Sequence, residues 1–353
     1  MNWCPSLMQT STVVGMHTAG TRQARRSSNA GPKVSIVLPT HDGGQYICQS
    51  IMSCLDQTYP NLELIVVDDG STENIRDRLQ SISDRRMAYV RHEINLGLSC
   101  ALNTGFARAT GRFLTWTSDD NYYAENAIET MLSALRDDDR AFVYCDFFKF
   151  THEDQSDRVL VRLPDIPELS RGNNVGPCFL YSKTVRQVVG EYDSSIALSE
   201  DYDYWIRVSK KFPMIHIAEP LYFYRERQVS QHPRRYLEVK AVDALVRLKH
   251  GLISASEATD SVLDLMSQLY PRRGGDRGPL ETLLSYRERS RALDTILSTP
   301  LVRKLYHKAS KSVAATVASG DITRIFSDFS EEKTSFKDAE QAIRHIVFGD
   351  TSK

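Results

Sequence analysis

Short, uniformly apolar β-branched runs that stop at polar, often acidic loops recur through the first half of this chain, and few architectures accept that pattern. Lys33-Val-Ser-Ile-Val-Leu-Pro39 ends at a proline and the loop Thr40-His-Asp-Gly-Gly44. A helical stretch follows, with Ile47, Ile51, Cys54 and Leu55 on one face. Leu62-Glu-Leu-Ile-Val-Val67 repeats the pattern and ends in Asp68-Asp69-Gly70-Ser71-Thr72. Ser71 and Thr72 suit a helix N-cap, with Glu73 in the first turn. Runs of this kind fit strands covered on both faces. Residues 87–91 predict a third strand, the segment from Asn95 a helix, and residues 111–116 a fourth strand leading into Thr117-Ser-Asp-Asp-Asn121. Strands alternating with helices predict a parallel α/β sheet with right-handed crossovers. Ligands gather beyond the carboxyl ends of such strands. One acid pair at a strand end is commonly a turn or a cap. Here two pairs, Asp68/Asp69 and Asp119/Asp120, stand at the same edge, and neighbouring carboxylates can hold a hard divalent cation.

The rhythm changes near residue 140. Residues 141–150 predict an aromatic-rich strand, and the polar loop Asn173-Asn-Val-Gly-Pro177 leads into another strand ending at Tyr181. Ser199 is placed to cap a helix whose first turn holds Glu200, Asp201 and Asp203. Acids there also complement the helix dipole, worth about 0.3–1 kcal/mol each with no chemistry implied. Two short strand-like runs follow, 215–218 and 221–224. Beyond Pro233 the periodicity predicts helices over 237–248, 258–269, 280–297, 302–317 and 338–347, with a linker at 271–279. Residues 301–311 carry Arg303, Lys304, Lys308 and Lys311 opposite Val302, Leu305, Tyr306 and Ala309. A basic amphipathic face suits peripheral contact with an anionic membrane, although a solvated face is the simpler reading.

A formal net charge of -1 over 353 residues gives no support to nucleic-acid binding. No run approaches the roughly 18 apolar residues of a membrane span. The six cysteines lack metal-site spacing and predict reduced, mostly buried thiols, hence a cytoplasmic home. Residues 1–32 contain no acid but include Arg22, Arg25 and Arg26, and are expected to be a disordered leader. The expected division is therefore a leader at 1–32, an α/β domain at 33–235 and a helical C-terminal region at 236–353.

Several of these motifs, in this order, resemble family 2 glycosyltransferases, which have the GT-A fold. The resemblance rests on residues 34–44, on Ser53 through Val-Val-Asp-Asp-Gly-Ser-Thr72, on Asn95-Leu-Gly97 through Asn103-Thr-Gly105, on Ala109-Thr-Gly-Arg-Phe-Leu114, and on two acidic motifs. Ser118-Asp-Asp120 stands where that family has its DXD-type metal motif. Glu200-Asp201-Tyr-Asp-Tyr-Trp205 is similar to its ED motif, which carries the base. The likeness covers about 33–230. It implies a Rossmann-like, mainly parallel sheet with flanking helices, followed here by the helical region. It implies an inverting transferase that moves sugar from a nucleotide-diphospho-sugar, UDP-type favoured, to a glycan or lipid-linked acceptor in polysaccharide or glycan biosynthesis. Mn²⁺ or Mg²⁺ is the implied cofactor, held by Asp120 with Asp119. Asp201 is the implied base, supported by Glu200. Thr40, Asp42, Asp69, Asp119, Arg225 and Arg227 are the expected nucleotide and phosphate contacts. Two departures stand out. Thr117 occupies a position where an acid is common, and Tyr224-Arg-Glu-Arg-Gln-Val-Ser230 has Arg227 where a histidine is common, with His232 displaced. Those departures keep a second reading open, a non-catalytic nucleotide-sugar-binding or scaffold protein on the same fold. Self-association through the C-terminal helices is a further expectation.

Overall fold

The computed structural model describes residues 31–226, 233–269 and 312–348. Strands β1 (Val34–Thr40), β2 (Leu62–Asp68), β3 (Met87–Arg91) and β4 (Phe113–Trp116) lie in the order β3-β2-β1-β4, every pair parallel. Side-chain alternation divides β1 between two cores. Val34, Ile36 and Leu38 pack with helices α1 (Ile47–Leu55) and α4 (Ala127–Leu135). Val37 faces the other side, with Ala101, Leu102 and Phe106 of α3 (Leu98–Arg108). The short helix α2 (Ile75–Arg78) is capped by Asn74, which accepts from the Asp77 N–H, and not by Ser71 or Thr72 as the sequence suggested. The Ser71 hydroxyl instead accepts from the Asp42 N–H, and the Thr72 hydroxyl donates to the Asp42 carboxylate.

The sheet continues β4-β8-β6-β9-β5, where β5 is Tyr122–Tyr123, β6 Phe142–Phe150, β8 Phe179–Ser182 and β9 Met214–Arg225; β7 (Val159–Val161) pairs with β6 at the side. This half is mixed. β8 runs antiparallel to both β4 and β6, while β6 and β9 are parallel. The cause is connectivity. No helix separates β6 from β8, so the chain returns by way of β7, whereas β8 reaches β9 through helices α5 (Lys183–Val189) and α6 (Glu200–Ser209). The parallel sheet read from the sequence is therefore the first four strands and the β6–β9 pair. The runs at 215–218 and 221–224 form one strand, with a register shift where Asp146 faces Pro220. A bulge tolerates a residue with no N–H.

Helices α7 (Pro233–Lys249), α8 (Ala255–Leu269), α9 (Ser312–Ser330) and α10 (Phe336–Phe348) follow. Ala241, Val242, Leu245, Ile322, Phe326 and Ile343 belong to the same buried cluster as Phe142, Phe179 and Trp205. The core thus runs on across residue 235 without a break. The helix expected over 302–317 extends, within the described residues, from Ser312 to Ser330. The leader up to residue 30, Arg227 and His232, the linker 271–279, the helix at 280–297 and the basic stretch 301–311 lie outside the described residues. No helix among the described residues is long and apolar enough to cross a membrane.

Candidate active site

The sheet order reverses between β1 and β4, and the loops after these two strands frame the crevice where open α/β sheets bind ligands. Register brings the relevant residues level. Thr40 pairs with Asp68, and Val37 pairs with Trp116, one residue before Thr117. Thr40 Oγ1 donates to Asp119 Oδ2 at 2.6 Å, bridging the crevice. The Asp69 N–H donates to the Thr40 carbonyl at 2.8 Å. Gly43 lies against the same carboxylate, where an added Cβ would stand 1.6 Å from Asp119 Oδ2. Sequence reasoning passed over Gly43; its signal was the Gly-Gly pair after Asp42.

The buried Asp69 carboxylate is held by the β3–α3 loop. Oδ1 accepts from the Leu96 N–H at 3.0 Å and lies 2.6 Å from His92 Nδ1, while Oδ2 accepts from the Gly97 N–H at 2.8 Å. His92, which no sequence motif singles out, links Asp69 to Thr104 Oγ1 at 2.9 Å. Asp42 has a positive φ of 54° and takes the N–H groups of Thr72 and Glu73 at 2.7 and 3.0 Å. The Glu73 N–H is the chief cause that holds the Asp42 carboxyl below its usual range. Asp42 therefore staples the β1 loop to the β2 loop.

Asp119 and Asp120 are partly exposed at the end of the β4 loop. Thr117 is fully buried, with Oγ1 2.7 Å from the Tyr222 hydroxyl. An acid there would bring a charge into the core, where the threonine hydroxyl is neutral and already paired. Arg225 is also buried, and each arm of its fork has a protein partner. Nε donates to the Asp120 carbonyl at 3.1 Å, Nη1 to Glu153 at 2.8 Å and Nη2 to Gln49 at 2.8 Å, with the guanidinium 3.9 Å from the Tyr46 ring centroid. The Arg225 N–H completes the brace through Asn121 Oδ1 at 2.7 Å. This guanidinium, expected to meet phosphate, joins the acidic loop to Glu153 and Gln49 in this structure.

A cavity of about 630 Å³ opens beside this edge, lined among others by Gly97, Leu198, Glu200, Tyr224, Glu226 and Tyr236. Glu200 is buried at its wall. Next to it, Asp201 accepts from Asn173 Nδ2 at 3.0 Å and from the Tyr202 N–H at 2.7 Å. Burial, with a smaller contribution from the Asp243 carboxylate, pushes the Asp201 pKa up to about 6. Leu198, just before this turn, has φ +74°, a conformation a branched side chain rarely adopts. The site residues thus fall into two groups, Asp69–Thr40–Asp119–Asp120 on the sheet edge and Glu200–Asp201 on α6; the cavity is lined by Glu200 and by Gly97, whose N–H holds Asp69.

The family model described as Glycosyl transferase family 2 matches residues 35–190. Those residues belong to glycosyl transferase family 2. An uncharacterized glycosyltransferase of Rickettsia prowazekii is 31% identical over 187 residues, covering 50% of this chain and 58% of that protein. The UDP-Glc:alpha-D-GlcNAc-diphosphoundecaprenol beta-1,3-glucosyltransferase of Escherichia coli is 35% identical over 111 residues, covering 31% of this chain and 44% of that protein. The chain spans between about a third and three fifths of the first curated relatives it matches. The GT-A fold is shared with the mannosyltransferase PcManGT from Pyrobaculum calidifontis, solved with GDP-Man and Mn2+. Its TM-score is 0.51 at 15% identity, over 82% of this chain and 87% of that one. Asp201 lies beyond the matched family segment, in the stretch that completes the sheet and its cavity.

Proposed function

We propose that this chain is an inverting, metal-assisted glycosyltransferase that moves a sugar from a nucleoside-diphosphate donor to an acceptor hydroxyl in glycan assembly. The observation that carries the reading is the Thr40–Asp119 bond across the switch point, which joins the Asp69 loop to the acidic loop beside the Glu200 cavity. Likeness to the Escherichia coli glucosyltransferase favours a UDP-type donor and a lipid-linked or glycan acceptor.

In this reading the nucleobase lies by Pro39 and Asp69, and Asp119 meets the ribose or the metal shell. Asp120 and Asp119 would hold Mn²⁺ or Mg²⁺. Their oxygen-only donor set fits a hard cation, and two carboxylates leave most of the shell to phosphate and water. When bound, such an ion neutralises charge on the diphosphate as it leaves. Arg225 and Asp42 act as positioning residues, which leaves phosphate contact to Arg227, whose fork suits it. Asp201 removes the acceptor's proton as the hydroxyl oxygen attacks the anomeric carbon from the face opposite the diphosphate, with Glu200 in support. Its raised proton affinity suits a base working near neutral pH.

The Asp201→Asn variant is expected to lose at least about two orders of magnitude in kcat while calorimetry still detects nucleotide-sugar binding. Near-normal turnover would remove Asp201 from the mechanism. A silent scaffold would show neither Mn²⁺-dependent transfer nor hydrolysis across a panel of nucleotide sugars. Peripheral membrane contact through the helical region belongs to the same reading, and liposome flotation of the full chain, with Arg303, Lys304, Lys308 and Lys311 changed to Gln in a control, tests it.

A further inference from the structure

The first turn of α6, where the proposed base sits, is gripped at both ends by one helix from the C-terminal region. At its start, Ser199 Oγ donates to Asp243 Oδ1 at 2.8 Å. Asp243 is 4% exposed, and its second oxygen accepts from Lys240 Nζ at 2.9 Å. One turn later, Asp203, fully buried, has Oδ1 2.8 Å from both Lys249 Nζ and His250 Nε2, while Oδ2 accepts from Arg207 Nε at 2.8 Å. The Asp203 N–H closes the turn on the Ser199 carbonyl at 3.1 Å. Lys249 also reaches Asp193 at 2.8 Å, in the segment leading into α6. Asp201 lies between these two anchor points, three residues after Leu198 and its strained backbone conformation.

We propose that Asp243, Lys249 and His250 are positioning residues that fix the orientation of Asp201, so that α7 is a working part of the catalytic unit. The inference rests on the transferase reading for the role of Asp201. Burying the Asp203 and Asp243 carboxylates around one helical turn is justified physically only where their geometry is fully satisfied, and here all four of their oxygens have a partner. A strained entry at Leu198 would relax if the turn were held at one end alone. The Asp243 carboxylate also adds to the burial that raises the proton affinity of Asp201. The other groups facing Asp201 are Asn173 from the preceding loop, Tyr192, and the neighbouring Glu200; Lys240 faces Asp243.

Two substitutions separate positioning from packing. Asp243→Leu removes the acceptor for Ser199 and is expected to lower kcat by about 100-fold, the scale of a misplaced catalytic group, with the donor KM changed less than about threefold because Thr40, Asp69 and Asp119 are held by bonds among the sheet-edge loops. Asp243→Asn keeps an oxygen for Ser199 and should recover most of that loss. It should also move the acid limb of the kcat profile to lower pH by about half a unit or more, because a negative charge facing Asp201 is gone. A carboxyl-carbon NMR titration of Asp201, its signal identified by Asp201→Asn, reads the same shift with no turnover required. Wild-type kcat in Asp243→Leu, or an unmoved Asp201 midpoint in Asp243→Asn, overturns the proposal. Absence of transfer by the wild-type chain would sink the transferase reading alone, and the titration would still decide the clamp.

Discussion

Asp201 and Asp203 sit two residues apart on one helical turn and titrate in opposite directions. Burial raises Asp201 to about 6, against an ordinary 3.8, so the folded chain holds that proton more tightly than the unfolded one. Its contribution favours folding below about pH 4 and is lost as pH rises through about 6. Asp203 is the reverse. Burial opposes its ionisation, but His250, Lys249 and Arg207 together hold its carboxyl well below the usual range, giving stability that is present near neutral pH and lost in acid. Turnover should therefore rise with pH to a plateau above about 6, which a kcat–pH series checks. Asp201→Asn should raise Tm at pH 8 while it removes activity; a lower Tm there would contradict the burial account. At Gly43 the prediction concerns space. Gly43→Ala drives a methyl into Asp119 and is expected to weaken donor affinity at least about tenfold, or about 1.4 kcal/mol, with Tm changed little because the atoms it meets are the end of a side chain and not backbone.

The loops between elements carry the next level of organisation. Gly70 has φ +69°, and a Cβ there would stand 2.3 Å from the Ile94 carbonyl carbon, within the loop that delivers Leu96 and Gly97 to Asp69. Backbone cannot move aside as a flexible side chain can. Gly70→Ala should cost about 1–3 kcal/mol and release Asp69, seen as faster hydrogen exchange at the Leu96 and Gly97 amides. Arg225 braces the acidic loop from the end of β9. Arg225→Leu is expected to lower stability by about 2–4 kcal/mol and to abolish donor binding, whereas a phosphate ligand would lose binding with little change in stability. Denaturant titration beside calorimetry distinguishes the two. How far such a role can be read in sequence is visible here. Tyr224-Arg225 was recognisable as a motif, but a guanidinium looks the same in sequence whether it faces phosphate or Gln49, Glu153 and a backbone carbonyl.

Across the whole molecule, the C-terminal helices close the face of the sheet opposite α1 and α4. Leu245, Ile322, Phe326 and Ile343 are buried with Phe142, Phe179 and Trp205. A chain ending at residue 235 would expose that face, and at about 25 cal/mol per Å² of apolar surface a few hundred Å² is comparable with the net stability of a domain. It is expected to be insoluble or to lack a cooperative unfolding transition, and a cooperative, well-folded fragment would show the boundary at 235 to be a true domain edge.

What the sequence determined by itself was whatever repeats locally. Period-two and uniformly apolar runs identified β1, β2 and β4, and the acids at their ends identified the ligand edge, because those signals depend on near neighbours alone. Strand order, the antiparallel entry of β8 and the fusion of two short runs into β9 came from pairing between distant segments. The same holds within the site. Asp69, Asp119, Asp120 and Asp201 could be selected from their motifs. His92, Asp243 and the pair that holds Arg225, Gln49 and Glu153, could not, since a satisfied polar group is defined by partners as distant as Gln49 and Arg225, 176 positions apart in the chain. Only the tertiary structure decides which polar groups meet inside a low-dielectric core, and there each one must be paired.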